Sequence, residues 1–120
     1  MAENETAADM LRLHDRRCEP CQAGVERLKG PALRALLRKL EEGWQVVDEL
    51  RLEREFTFDD FREALAFVNL VGQLAEEEGH HPEMILSWGK VRVRLWTHKI
   101  DGLHENDFIL AAKIDRLPRP

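Results

Sequence analysis

Met84-Ile85-Leu86-Ser87-Trp88-Gly89-Lys90-Val91-Arg92-Val93-Arg94-Leu95-Trp96-Thr97 is the stretch that decides the fold. Val91, Val93, Leu95 and Thr97 alternate with Lys90, Arg92, Arg94 and Trp96. A period of two puts successive side chains on opposite faces of a strand. Met84, Leu86 and Trp88 alternate with Ile85 and Ser87 in the same way, and Gly89-Lys90 supplies a turn between the runs. The stretch therefore predicts an antiparallel hairpin with one apolar face, which other layers must cover.

Working upstream, a second strand pair is predicted. Trp44-Gln45-Val46-Val47 is followed by a turn at Asp48-Glu49, and then Leu50, Leu52, Arg54 and Phe56 alternate with Arg51, Glu53 and Glu55. Arg54 falls on the apolar side, so it must lie near the strand edge or be paired. Between the two pairs the spacing predicts a helix that opens at Thr57-Phe58-Asp59-Asp60, capped by Thr57 or Asp59, and stops at Gly79. Its apolar positions, Phe61, Ala64, Leu65, Val68 and Gly72 with Phe67, Leu70, Val71 and Leu74, merge into an arc of roughly 200° at about 100° per residue. One sheet face covers only about half of that arc, so a second helix or a second subunit is expected on the remainder. The helix ends in Glu76-Glu77-Glu78, charges that oppose the negative end of its dipole with no evident structural return.

Two further helices complete the pattern. Leu33, Leu36, Leu37 and Leu40 predict one from Pro31 to Glu42, stopped by Gly43. Leu110, Ile114 and Leu117, with Phe108 and Ala111, predict another from Leu103 or His104 to Leu117, stopped by Pro118 and Pro120. Residues 1–30 are expected to form a partly ordered N-terminal extension with a short helical stretch from Ala7 to Asp15, and residues 31–118 a single domain. The predicted fold is α+β in the order α-β-β-α-β-β-α, a four-stranded, mostly antiparallel sheet with helices on one face.

Composition narrows the function. The chain has 120 residues, 18 Lys+Arg against 23 Asp+Glu and a formal net charge of -5. That balance argues against direct nucleic-acid binding through positive charge, and the lack of Tyr argues against a base-stacking platform. No apolar run reaches the roughly 18 residues a membrane span needs, and Met1 to Met10 does not read as a secretory signal. A cytoplasmic protein is expected, and a chain this small gains from self-association.

Five histidines carry the chemistry: His14, His80, His81, His98 and His104. His80-His81-Pro82 precedes the third strand and His98 follows the fourth, so a hairpin with Gly89-Lys90 at its turn brings His80, His81 and His98 toward one edge. Imidazole gives and takes protons near neutrality, which suits elimination or addition of water. Glu76, one helical turn before His80, and Asp107, near the start of the last helix, could orient such a histidine. The plainer readings are a solvated helix charge for Glu76, a helix-stabilising carboxylate for Asp107, and surface histidines. No zinc-type ligand spacing is present, so no metal is expected. Cys18-Glu19-Pro20-Cys21 lacks a second ligand pair and the strand-then-helix setting of a redox motif, which favours a structural or idle role over redox chemistry or a zinc shared between chains. Arg51, Arg54, Arg92 and Arg94 could bind an anion but read more simply as a solvated sheet face, and Trp96 among them as a contact position.

Glu76, His80-His81-Pro82-Glu83, Trp88, Thr97-His98, Gly102-Leu103, Asp107 and Ala111, with Gly43-Trp44 upstream, resemble the pterin-4a-carbinolamine dehydratases over about residues 16–117. The resemblance implies dehydration of 4a-hydroxytetrahydropterin to quinonoid dihydropterin, in recycling of the cofactor that aromatic amino acid hydroxylases consume, without a metal or organic cofactor. It implies that His80 and His98 handle protons at the 4a-hydroxyl and ring nitrogen, that His81 binds and orients the pterin, and that Glu76 and Asp107 support them. The backbone at Trp96-Thr97 and the side of Pro82-Glu83 would lie near the pterin ring. The chain departs from the family pattern at Met84, where Trp is usual, at Trp88, where Tyr is usual, and at His104, where Ser or Thr often opens the last helix. The resemblance further implies a homodimer or homotetramer, expected here through the second helix. It also carries a rival class: a non-catalytic assembly or dimerization factor, as in relatives that assist RuBisCO assembly or a homeodomain transcription factor. Retention of all three histidines favours the enzyme.

Overall fold

The computed structural model describes residues 12–20 and 24–120. In chain order it contains α1 (Gly30–Leu37), β1 (Gln45–Val47), β2 (Arg51–Thr57), α2 (Phe61–Glu78), β3 (Glu83–Ser87), β4 (Lys90–Leu95) and α3 (Glu105–Asp115), with 3-10 turns at Leu13–Asp15 and His98–Ile100. The expected order of helices and strands is the observed one. The four strands form one antiparallel sheet in the order β1-β2-β4-β3. Leu52 and Phe56 of β2 and Val91, Val93 and Leu95 of β4 are buried under the helices, where they meet Phe67 and Val71 of α2 and Phe108, Ile109 and Leu110 of α3. The opposite face carries charge in register: Arg94 of β4 binds Glu53 of β2 at 2.9 Å and Glu83 of β3 at 2.7 Å.

Several boundaries differ from the sequence expectation. The hairpin turn is Trp88-Gly89 rather than Gly89-Lys90, because Ser87 pairs with Lys90. Gly89 fits there by close approach: Phe58 N–H donates to its carbonyl at 2.8 Å, and a Cβ on Gly89 would sit 2.9 Å from the Phe58 oxygen. The cap of α2 is Asp60, whose carboxylate accepts Glu63 N–H at 2.9 Å, rather than Thr57 or Asp59. Its end is as expected, with Gly79 in the left-handed conformation at φ 65°.

Helix α1 ends at Leu37 rather than Glu42. Its apolar spacing continues because Lys39 N–H and Leu40 N–H donate to carbonyls three residues back, tightening the chain while keeping Leu40 against the core. Helix α3 starts one residue after His104 and is buried almost all round from Asn106 to Ala112. Arg54 is paired, and lies on the helix-covered face rather than in one stripe with Arg51. Its guanidinium donates to Asp115 at 2.8 Å, and the Trp44 indole N–H donates to the same carboxylate. Burial pushes the Asp115 carboxyl up despite both partners.

Residues 12–20 lie along the N-terminal end of α3. Leu13 is buried in the core, Arg16 binds Glu105 at 2.6 Å, and Leu28 N–H donates to Leu103 O at 2.9 Å from the next segment. The Ala7–Leu11 part of the expected helical stretch and Cys21 fall outside the described residues, and Leu13–Asp15 is a single 3-10 turn.

Candidate active site

Asp107 is the anchor of the site. It is fully buried at the third position of α3, where Asp and Glu are favoured by the unpaired N–H groups of a helix start. Its Oδ2 accepts His104 N–H at 3.0 Å and the Thr97 hydroxyl at 2.9 Å. Its Oδ1 lies 2.6 Å from His80 Nε2. A carboxylate offers only acceptors, so His80 donates Nε2–H and the ring keeps Nδ1 as its open nitrogen. His104 completes the cap by accepting Asn106 N–H on its own Nδ1 at 3.1 Å, so imidazole serves here in the place of a hydroxyl. The helix-stabilising and histidine-orienting readings of Asp107 are both realised in one side chain.

Above this anchor lies an open cavity of about 500 Å³, within the usual range for a small-molecule site. His80, His81, Thr97 and His98 line it, so the hairpin brings the three expected histidines to one cavity. Glu76 does not orient His80. It binds His81 Nε2, and both members of that pair are exposed. Pro82, Glu83 and Trp96 do not line the cavity. Glu83 is engaged with Arg94, and the Trp96 ring stacks on His98 with centroids 4.6 Å apart. Met84 is partly buried against the core and Trp88 is exposed at the hairpin turn.

The facing wall is one that sequence reasoning missed. Cys18, Glu19 and Pro20 form it. Asn106, buried in the first turn of α3, accepts Glu19 N–H at 2.9 Å and donates to Glu19 O at 2.5 Å. Glu78 accepts Cys18 N–H at 2.9 Å and the Lys113 ammonium at 2.8 Å. The last Glu of the acidic run therefore has a structural return, since it joins α2, α3 and the N-terminal segment. Burial pushes its carboxyl up, but Lys113 and the Cys18 N–H outweigh this and hold it below the usual carboxylate range. The Cys18 thiol is pushed up to about 12, first by burial and then by Glu78. It stays protonated near neutrality, which fits a structural role rather than nucleophilic or thiolate chemistry. Among the described residues no group of three or more His, Cys, Asp or Glu is arranged to hold a metal ion, and no helix is long and apolar enough to cross a membrane.

The model for the family described as pterin 4 alpha carbinolamine dehydratase matches residues 26–117. The chain belongs to that family. A relative from Rubrobacter xylanophilus is 55% identical over 108 residues, covering 90% of this chain and 100% of its own. One from Alkaliphilus metalliredigens is 50% identical over 107 residues, covering 89% and 96%. Both carry the name "Putative pterin-4-alpha-carbinolamine dehydratase". The crystal structure of a transcriptional coactivator/pterin dehydratase from Brucella melitensis superposes with a TM-score of 0.70 at 36% identity, covering 75% of this chain and 96% of that one. A pterin dehydratase-like protein identified as a RuBisCO assembly factor in the alpha-carboxysome superposes at 0.53 over 62% of this chain and 87% of its own, and at 24% identity it shares the fold. Within this dehydratase family the chain thus presents one histidine held by a buried carboxylate, one paired in solvent and one stacked on an indole. An open cavity contains all three.

Proposed function

We propose that the chain eliminates water from a 4a-hydroxytetrahydropterin to give the quinonoid dihydropterin, in recycling of tetrahydrobiopterin-type cofactors for an aromatic amino acid hydroxylase. The observation that carries this reading is the His80–Asp107–Thr97 chain beneath a cavity that His81 and His98 share. In the reaction one group protonates the 4a-hydroxyl, which leaves as water, and another takes the proton from the ring nitrogen. His80 and His98 serve as that acid–base pair, and His81 binds and orients the pterin. Asp107 fixes the tautomer of His80 and stabilises its charged form while it holds a proton. Glu76 orients His81, and the Thr97 backbone flanks the pterin. No metal or organic cofactor takes part, and the protein works in the cytoplasm.

The direct test is turnover of 4a-hydroxytetrahydrobiopterin by the purified protein. His80→Ala and His98→Ala are each expected to lose more than about tenfold in kcat, and a chelator should leave the rate unchanged. Wild-type turnover no faster than buffer overturns the reading.

A second reading has its own observation. Phe61 and Leu65 are exposed on α2 while Ala64, Phe67 and Val71 fill the core side, so among the described residues part of the helix's apolar arc has no cover. In the enzyme reading a second copy covers it, in a dimer or tetramer. In the rival reading it docks another protein, and the chain acts as an assembly or dimerization factor without turnover. Sedimentation of wild type and Leu65→Glu separates the two. The enzyme reading expects an oligomer that the charge dissociates, whereas a monomeric wild type without turnover favours the rival.

A further inference from the structure

We infer that Trp96 is a positioning residue that holds the His98 imidazole in the orientation the proposed proton transfer requires. The inference rests on the dehydratase reading. His80 is oriented by a hydrogen bond that occupies one of its nitrogens. His98 is exposed at the start of a 3-10 turn, and among the described residues its ring has no hydrogen-bond partner. A histidine so placed would ordinarily exchange rotamers freely. Instead its ring lies on the Trp96 ring, with centroids 4.6 Å apart and planes at 14°. Stacking fixes the plane of the imidazole while leaving both nitrogens open to a substrate.

The plate beneath His98 is itself fixed. Leu52 pairs with Leu95, so the next cross-strand neighbours are Arg51 and Trp96, on the helix-free face. The Arg51 guanidinium lies 4.3 Å from the Trp96 ring centroid and that of Arg94 lies 5.7 Å away. Arg51 also binds Asp101 at 2.9 Å. Asp101 closes the turn that carries His98, with φ 45° and its N–H on the His98 carbonyl. Thr97 N–H donates to Gly102 O at 2.8 Å and Arg27 donates to Ile100 O at 3.0 Å, so the backbone on which His98 sits is tied at both ends and in the middle. Arg51 thus links the plate to the loop.

Trp96→Ala and Trp96→Phe test this, read by proton NMR of the His98 ring and by steady-state kinetics. In wild type the His98 ring protons should be shifted upfield by the indole. Trp96→Ala should abolish that shift, leave the His80 ring signals in place and lower kcat about tenfold with KM within about twofold, since misorientation acts on the chemical step. Trp96→Phe should restore most of the rate and part of the shift. Unmoved His98 signals in Trp96→Ala, or wild-type kcat in that variant, overturns the inference. The NMR arm needs no turnover. An upfield shift that depends on Trp96 in a protein without dehydratase activity would remove the dehydratase reading while upholding the positioning of the ring.

Discussion

His80 and His81 are neighbours in the chain and opposites in the fold. Each faces a carboxylate, but the His80 side chain is 12% exposed against a fully buried Asp107, and the His81 side chain is 61% exposed against a Glu76 at 77%. Water screens the second pair, and each of its members can be solvated alone. Neither member of the first pair can. The difference shows that pairing alone does not fix an imidazole here. Enclosure does so for His80, because it makes one geometry the only satisfied one, whereas the exposed His98 lies on the Trp96 ring.

Breaking the enclosed pair should have the largest effect. Asp107→Ala leaves His80, Thr97 and His104 N–H without their acceptor and is expected to destabilise by about 3–5 kcal/mol, read by denaturant unfolding. Asp107→Asn keeps the shape but offers His80 an amide, so kcat is expected to fall about 100-fold with a smaller loss of stability. A kcat within twofold of wild type would mean His80 needs no carboxylate.

Glu78, on the wall of the same cavity, tests whether enclosure matters equally where the partner is not a histidine. Glu78→Gln should cost about 1–3 kcal/mol at neutral pH, since it leaves Lys113 nearly enclosed without its charge partner. The pH sign follows from a folded-state carboxyl held below its usual range. Its contribution is full above the unfolded value and is lost as pH falls through the folded one. Wild type should therefore lose more stability than Glu78→Gln on acidification through the carboxylate range, in paired melting curves. Parallel curves would remove Glu78 as a source of acid sensitivity.

The exposed pair should respond least. Glu76→Gln is expected to change stability by less than about 0.5 kcal/mol. His81→Ala should act more on KM than on kcat if His81 binds rather than transfers protons. A loss of kcat as large as that of His80→Ala would erase the contrast.

What the sequence made legible follows the range of the signal. Val91, Val93 and Leu95 announce their strand because alternation is local, and His80, His81 and His98 are brought to one cavity by the hairpin those residues specify. The two-residue shift of the turn partners left that convergence intact. Glu76 at helical spacing from His80 was a local signal too, and it misled, because Gly79 ends α2 in a left-handed step and His81 takes the carboxylate. Glu78 was not legible at all. Its partners, Lys113 and the Cys18 N–H, lie 35 and 60 residues away, and no spacing rule reaches that far. The Cys18–Pro20 wall stayed hidden for the same reason, since Asn106 holds it from 87 positions along the chain.

Asp107 also constrains the order in which such a chain could change by mutation. Its carboxylate caps α3 and orients His80 at once. A lineage that abandoned the proposed catalysis could replace His80 first, losing the one partner of Oδ1 while keeping the Thr97 and His104 N–H bonds on Oδ2. Replacing Asp107 first would weaken the fold before any new role could be selected. Descendants of this chain that became pure scaffolds should therefore retain the aspartate after the histidine is gone.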